Sequence, residues 1–309
     1  MEFFKHNTNI NFMAQRNWAA LLSAILFILS IASLVMNGLT LGLDFTGGTQ
    51  VQLGFPTAAN LNQIRDDLAG VGFKDAIVIS YGTSKEVLVT LPLKKENGEV
   101  NNRDILVSQV VKALPTAKIQ QVDYIGPQVG QELATKGALA VFFALLGTMI
   151  YIAFRFEYRF AVGSTIALIH DPLIILGVFS YFHIEFNLIA LASVLTVIGY
   201  SLNDTIVIFD RVRENFRKLR KATPVDVINQ SINQTLSRTI MTSVTTLLVV
   251  LALFFLGGSM LYGFSLALII GIVVGTYSSI YVAGSLSLAL GLTRQHLLPP
   301  AKEELDERP

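Results

Sequence analysis

The sequence predicts an α-helical polytopic membrane protein with six transmembrane helices and a ferredoxin-like α+β domain placed externally between spans one and two. Three observations predict it. Only 15% of the 309 residues are charged and the mean hydropathy is +0.56, whereas a soluble domain carries roughly 25% charged residues. Uncharged or nearly uncharged runs of about 18 residues or more, enough to cross a bilayer core, recur along the chain. One long polar stretch separates the first of them from the rest.

Residues 1–17 precede span one, which covers residues 18–43 and contains no charge. A secretory signal peptide has only roughly 7–15 apolar residues and a small-residue cleavage site, so this span reads as a retained anchor. Residues 44–136 form the external, periplasmic domain. Within it, 49–55 alternates as a strand, and 60–68 has helical spacing with Asn60 as its N-cap. Residues 76–81 and 86–93 are β-branched runs split by a Gly82 turn. A second helix over 102–114 is stopped by Pro115, and 117–125 is the last strand. The order β-α-β-β-α-β is the ferredoxin-like arrangement. Its carboxylates are scattered and it lacks histidine, so it reads as a binding or structural domain.

Residues 137–292 hold the other five spans, at 137–154, 160–182, 186–209, 239–261 and 263–292, with the last two parted near Gly257 and Gly258. Residues 293–309 are a polar tail. Basic residues set the orientation. Lys5 and Arg16 precede span one, Arg155 and Arg159 separate spans two and three, and Arg211 to Lys221 with Arg238 separate four and five. Arg294, Lys302 and Arg308 follow span six, while the short loops on the other side have no Lys or Arg. Both termini are therefore expected in the cytoplasm. The dense charge of residues 210–221 suits anionic membrane lipid or a cytoplasmic partner.

Several functions are excluded or unsupported. The chain has no cysteine, so disulfides and thiolate chemistry are absent. A net charge of +1 argues against nucleic acid as the main partner. Neither a G-x-x-x-x-G-K-[ST] phosphate loop nor an H-E-x-x-H zinc helix occurs. Gly199-Tyr200-Ser201 begins like a serine elbow, but Asn203 replaces its second glycine. Asp171 and Asp204 could pair as in an aspartyl protease, with nothing else in support. No catalytic residue, metal ligand or cofactor is expected.

Ionisable residues at membrane depth mark function by default. Span three carries His170 and Asp171, followed by Pro172, which loosens the local backbone. Span four places Ser193, Thr196, Tyr200, Asn203 and Asp204 on one helix face, and span five opens with Arg238, whose face continues through Thr242 and Thr245. A carboxyl held between desolvation and a movable guanidinium can exchange a proton, which makes Asp204 and Arg238 candidates for proton coupling. A static buried ion pair is the alternative. His170, Asp171, Tyr200, Asn203 and Thr242 form a candidate polar network around them. In span six, Gly271, Gly275 and Ser279 belong to a four-residue repeat of small side chains, suited to close helix packing.

Several longer motifs resemble a known family. They are Leu43-Asp44-Phe45-Thr46-Gly47-Gly48-Thr49, Asp123-Tyr124-Ile125-Gly126-Pro127 and Arg155-Phe156-Glu157-Tyr158-Arg159-Phe160. The most specific runs from Val197 through Gly199-Tyr200-Ser201-Leu202-Asn203-Asp204-Thr205 to Asp210-Arg211-Val212-Arg213-Glu214-Asn215-Phe216. Gln234-Thr235-Leu236-Ser237-Arg238-Thr239 and Gly275-Thr276-Tyr277-Ser278-Ser279-Ile280-Tyr281 complete the set. Together these resemble the smaller-subunit branch of the bacterial SecD–SecF family, within the resistance-nodulation-division superfamily, over nearly the whole chain. The resemblance implies a SecD-like partner, the SecYEG channel, exported preproteins and YajC as a further associate. It also implies use of the proton-motive force in late, ATP-independent export at the bacterial inner membrane, with Asp204 and Arg238 coupling protons. The alternative is half of a proton-coupled small-molecule exporter of the same superfamily. Such an exporter is expected to have a large external drug-binding domain and usually a second, longer loop, so the very short loop at residues 183–185 counts against it.

Overall fold

The computed structural model describes residues 8–91, 95–96, 99–100, 103–219 and 221–292. The tail at 293–309, the first seven residues, Arg220 and residues 92–94, 97–98 and 101–102, which include the end of the strand expected over 86–93 and the first residue of the helix expected over 102–114, lie outside the described residues. After a 3-10 turn at Phe12–Gln15, the elements are α1 (Arg16–Asn37), α2 (Leu43–Thr46), β1 (Gly48–Gly54), α3 (Leu61–Gly70), β2 (Ile77–Tyr81) and β3 (Thr83–Leu91). There follow β4 (Lys95–Glu96), β5 (Glu99–Val100), α4 (Arg103–Ala113), β6 (Lys118–Ile125), α5 (Pro127–Arg155) and α6 (Tyr158–Tyr181). The chain continues with α7 (Leu188–Lys218), α8 (Pro224–Leu256), α9 (Gly258–Ser278), a π-helical turn (Ser279–Ala283) and α10 (Gly284–Ala289).

Six helical segments among the described residues are long and apolar enough to cross a membrane, the sixth running from α9 through the π-turn into α10. Their ends follow from local chemistry. Glu157 caps α6 by accepting from the Arg159 amide, and Asn187 caps α7 through the Ala190 amide. Thr223 and Asp226 form a reciprocal capping box at α8, with Pro224 in the first turn where its missing N–H costs nothing. The first helix stops at Asn37 because Gly38 takes φ 68°, short of the uncharged run's end at residue 43. Conversely, α5 begins at Pro127, ten residues before its uncharged run, directly out of β6.

The helices form two layers. Half or more of the apolar window is buried in α6 (61%), α7 (56%) and the α9–α10 span (50%), against 11% for α5 and for α8. The central three are thus the bundle core, while α5 and α8 leave most of their surface outward. Small residues set the close approaches. A Cβ on Gly271 would collide with Val197 of α7, and one on Gly177 of α6 would collide with Ser30 of α1. A Cβ on Gly163 of α6 would stand 2.9 Å from the Ala283 carbonyl oxygen and the Ser287 Oγ.

The polar stretch forms a four-stranded antiparallel sheet in the order β2-β3-β1-β6. With α3 after β1 and α4 after β3, this is the ferredoxin-like topology, with the short β4–β5 hairpin inserted ahead of α4. Along β1, Val51 and Leu53 are buried against Ile64 and Leu68 of α3 and Val110 of α4, while Gln50 and Gln52 face the other way. Entry to the sheet needs a tight double-glycine turn: Gly47 has φ 66° and Gly48 φ 130°, and a Cβ on Gly48 would strike the Leu91 carbonyl.

The sheet is clamped to the bundle beside the α6–α7 loop. Gly42 N–H donates to Phe186 O at 2.9 Å, and Phe186 N–H to Thr40 O at 2.8 Å. Leu188 N–H donates to Asp44 Oδ2 at 2.8 Å, and Gln50 Nε2 to Glu185 Oε1 at 3.2 Å.

Candidate intramembrane polar site

Near the middle of α6, His170 (4% exposed) and Asp171 (0%) are both buried. They are held there by opposite faces of one turn: His170 lies toward α1, where its ring stacks on Phe27 with centroids 6.3 Å apart. Asp171 lies toward α7 and α9. Its Oδ2 accepts from Ser201 Oγ of α7 at 2.6 Å and from Ser278 Oγ of α9 at 2.8 Å, and its Oδ1 meets His170 Nδ1 at 3.0 Å. A buried carboxylate is tolerated when its lone pairs are filled in this way. The hub therefore joins the three core helices at mid-depth.

A second layer of hydroxyls continues it. Thr205 Oγ1 and Ser279 Oγ are 2.9 Å apart, across α7 and the π-turn. Tyr200 donates to Ser243 Oγ of α8 at 3.3 Å, and Ser243 in turn lies 2.8 Å from Thr276 Oγ1 of α9.

The structure places Asp204 at mid-length of α7, buried (3% exposed), with no hydrogen-bond partner for its Oδ2. Arg238, on the facing stretch of α8, is exposed, and its charge acts on Asp204. Among the described residues no ion pair joins the two, so a closed static pair is not the arrangement seen. Asn203, the neighbour of Asp204, is exposed. Thr242 and Thr245 turn their hydroxyls to carbonyls of their own helix, such as Arg238 O at 3.1 Å and Met241 O at 2.7 Å. Their polar face is thus satisfied locally rather than by a neighbour.

The structure brings together His170 and Asp171, and separately Tyr200 with α8 and α9. It adds Ser201, Ser278, Ser243 and Thr276 to the expected network. A signal did exist for Ser201, which sits three residues before Asp204 on the same helix face. The small-residue repeat of α9 lies along α7: Gly271 packs on Val197, and a Cβ on Gly275 would stand 3.1 Å from Ser201 Cβ and 3.5 Å from Asp171 Oδ2. Ser279 donates to Gly275 O at 2.9 Å and to Ser201 O at 3.3 Å. Close packing and the polar hub are the same surface.

Comparison with known proteins places this geometry. Residues 106–293 match the family described as protein export membrane protein SecD/SecF, C-terminal, and residues 32–58 match the SecD/SecF GG motif. That motif spans the Gly47–Gly48 turn. The protein translocase subunit SecF of Pseudomonas aeruginosa is 48% identical over 301 residues, covering 97% of this chain and 98% of that protein. SecF of Vibrio alginolyticus is 47% identical over 313 residues, covering 100% of this chain and 99% of that one. A crystal structure of SecDF from Thermus thermophilus, described as a translocon-associated membrane protein, superposes with a TM-score of 0.84 at 38% identity. The match covers 93% of this chain but only 39% of the SecDF chain. A helical bundle with this polar hub, this double-glycine entry to a ferredoxin-like sheet and near full-length similarity to curated SecF proteins leaves one assignment: the chain belongs to the SecD/SecF family of protein-export membrane proteins, on its SecF branch.

Proposed function

We propose that this protein is the smaller membrane subunit of an accessory complex of the Sec translocase. It works with a SecD-like subunit in the bacterial inner membrane, both termini in the cytoplasm, and draws on the proton-motive force. Its task is a late, ATP-independent stage in the export of preproteins through the SecYEG channel. Near full-length similarity to proteins named SecF supports the export role. The SecD-like partner is supported by the solved SecDF chain, of which this chain matches only 39%.

One observation carries the proton reading: Asp204 is buried at the middle of a membrane helix with an unpartnered carboxyl oxygen, beside but not bonded to a guanidinium. A carboxyl in that position is free to gain and lose a proton as Arg238 approaches or withdraws. Arg238 on α8 and Asn203 on α7 are both exposed, and α8 also exposes Val244 and Leu248. Polar groups there are costly against lipid alone, which favours a polar protein partner beside them.

The test compares Asp204→Asn with the unaltered protein in membranes holding matched amounts of the complex. Asn keeps the shape but cannot release a proton. The variant should assemble normally and lose the part of preprotein export that depends on the proton gradient. Arg238→Ala should lose the same component. Full gradient stimulation in Asp204→Asn would make Asp204 a packing residue and end the proposal.

A further inference from the structure

A groove of about 630 Å³ opens on the outside of the bundle between α1, α6, the π-turn and α10. Small side chains of α1 keep it open: Ala20 and Ala24 are exposed along it, with Ala19 and Ser23 buried beside them. Ile166 of α6, Val282 of the π-turn, and Leu286 and Leu288 of α10 supply apolar lining. Phe27, its ring stacked on His170, closes the inner end. Arg16 and Asn17 stand at the other end. Arg16 and Phe27 are eleven residues apart on α1, so the groove runs for roughly 16 Å at about 1.5 Å per residue. That is close to half of the ~30 Å hydrocarbon core, the depth of one leaflet.

The two ends differ in chemistry. Trp18 on α1 is 76% exposed, and Tyr158, the first residue of α6, is 60% exposed. Both stand at the basic end of the bundle, and exposed Trp and Tyr settle at the headgroup level of a bilayer. Arg16 and Asn17 are exposed at that same level, and among the described residues neither side chain has an ion pair or hydrogen-bond partner. Deeper in, polar atoms are already committed or covered. Ser23 Oγ lies 3.0 Å from Tyr277 Oη, and His170 Nε2 and Ser285 Oγ are sealed from the surface. The inner groove therefore presents hydrocarbon. A helix of another protein needs about 20 residues to cross the core, whereas this groove stops at mid-depth, the reach of a single acyl chain.

We infer that this groove binds one anionic phospholipid from the leaflet at the basic end of the bundle. Its phosphate sits on the Arg16 guanidinium, with the Asn17 amide as a further N–H donor. One acyl chain runs past Ala20 and Ala24 to the end wall made by Phe27 and His170. Charge complementarity selects the headgroup, because a free guanidinium at the interface attracts anionic lipid and a planar fork of N–H groups matches phosphate oxygens. Depth selects the chain, because the groove ends where one leaflet ends. The site lies apart from Asp204 on α7 and Arg238 on α8, and it meets the polar hub only at the His170 ring.

The test uses the full chain in nanodiscs of phosphatidylglycerol and phosphatidylcholine. A phosphatidylglycerol with a diazirine at the end of one acyl chain is photolysed and the labelled peptides are mapped. Label should concentrate on residues 20–28 and 166–170, with far less around Leu248 on the outward side of α8. Equal labelling of the two regions would mean ordinary surrounding lipid and would overturn the site. Lipid retained per protein, read by native mass spectrometry, gives the affinity. Ala24→Phe fills the groove from an exposed position and should weaken binding about tenfold, the order of an overpacking penalty. Leu248→Phe should change nothing. Arg16→Gln alters an exposed side chain without disturbing the fold, and should cut the preference for phosphatidylglycerol over phosphatidylcholine about fivefold, the worth of one interfacial cation. Undiminished retention in Ala24→Phe, or an unchanged headgroup preference in Arg16→Gln, sinks the inference. So does loss of the groove label once the SecD-like subunit is present, which would make a protein segment the occupant. None of these readouts depends on export or on the proton gradient, so loss of the Asp204 coupling reading would leave the lipid site intact.

Discussion

Asp171 and Asp204 are both buried carboxyls in membrane helices, Asp171 near the middle of its span and Asp204 toward the basic end of its own, and their surroundings assign them different sensitivities. Asp171 accepts from His170, Ser201 and Ser278, and an amide in its place would set a donor against at least one of these donors. Asp171→Asn should lower stability by about 2–3 kcal/mol and Ser201→Ala by about 1.5 kcal/mol. Asp204→Asn should leave stability nearly unchanged, because the oxygen it alters has no partner. The thermal midpoint of the purified protein in detergent checks all three, and equal losses for Asp171→Asn and Asp204→Asn would contradict the distinction. At the loop between α6 and α7, Glu185 titrates above the usual glutamate range, chiefly because it is buried; the Gln50 amide opposes this and nearby Asp44 adds to it. The folded state then holds a proton that the unfolded chain has already lost. Stability contributed by Glu185 should be full below its unfolded value of 4.5 and fall as pH rises from there through the raised folded value. Glu185→Gln should flatten that fall, read from denaturation midpoints across the acid range. At this scale the sequence exposed the ionisable residues and hid their partners. His170 and Asp171 stood out because charge is rare in a span, whereas serines are ordinary there and Ser278 is 107 positions from Asp171.

The elements were legible to the extent that length and hydrophobicity define them. Six spans follow from runs that must cross a bilayer, and βαββαβ follows from alternation and turn residues. The ends were less visible because they depend on backbone conformation: Gly38 halts α1 early, and α5 starts on the polar residues after Pro127. The π-turn at Ser279–Ala283 had no sequence signature. The small-residue repeat announced close packing but not its partner, which proves to be α7. Gly271 is its tightest point. Gly271→Leu forces a branched side chain into Val197, and overpacking of this kind costs about 1–3 kcal/mol when neighbours yield and more when they do not. The separation of α7 from α9 would also pull Ser278 away from Asp171. Lower yield of folded protein and a reduced thermal midpoint are expected for Gly271→Leu, with little change for the same substitution at Gly147, where a Cβ meets nothing. Equal behaviour of the two variants would show that the α7–α9 approach tolerates extra volume.

On the scale of the whole molecule, three hydrophobic cores are built among the described residues. One is made only of sheet-domain residues, from Val51 on β1 to Leu114 after α4. The others belong to the membrane helices and the segments flanking them. The connection between them is local and partly polar: the Thr40–Phe186 and Gly42–Phe186 backbone pairs, Asp44 on the Leu188 amide, and Gln50 on Glu185, together with the Phe45 ring stacked on Phe186 at 6.0 Å. None of these bonds lies within the sheet core, so the sheet should not need the bundle in order to fold. A fragment of residues 44–130 is therefore expected to give a dispersed amide spectrum and a single cooperative unfolding transition. It retains the double-glycine turn, every strand of the sheet and both covering helices, and it omits Glu185. The acid-range pH dependence assigned above to Glu185 should consequently be missing from the fragment while present in the full chain. A fragment with collapsed amide dispersion would mean that the Phe186 and Glu185 contacts are part of what folds the sheet. A folded fragment that kept the same pH dependence would instead move that titration to a group inside the sheet domain.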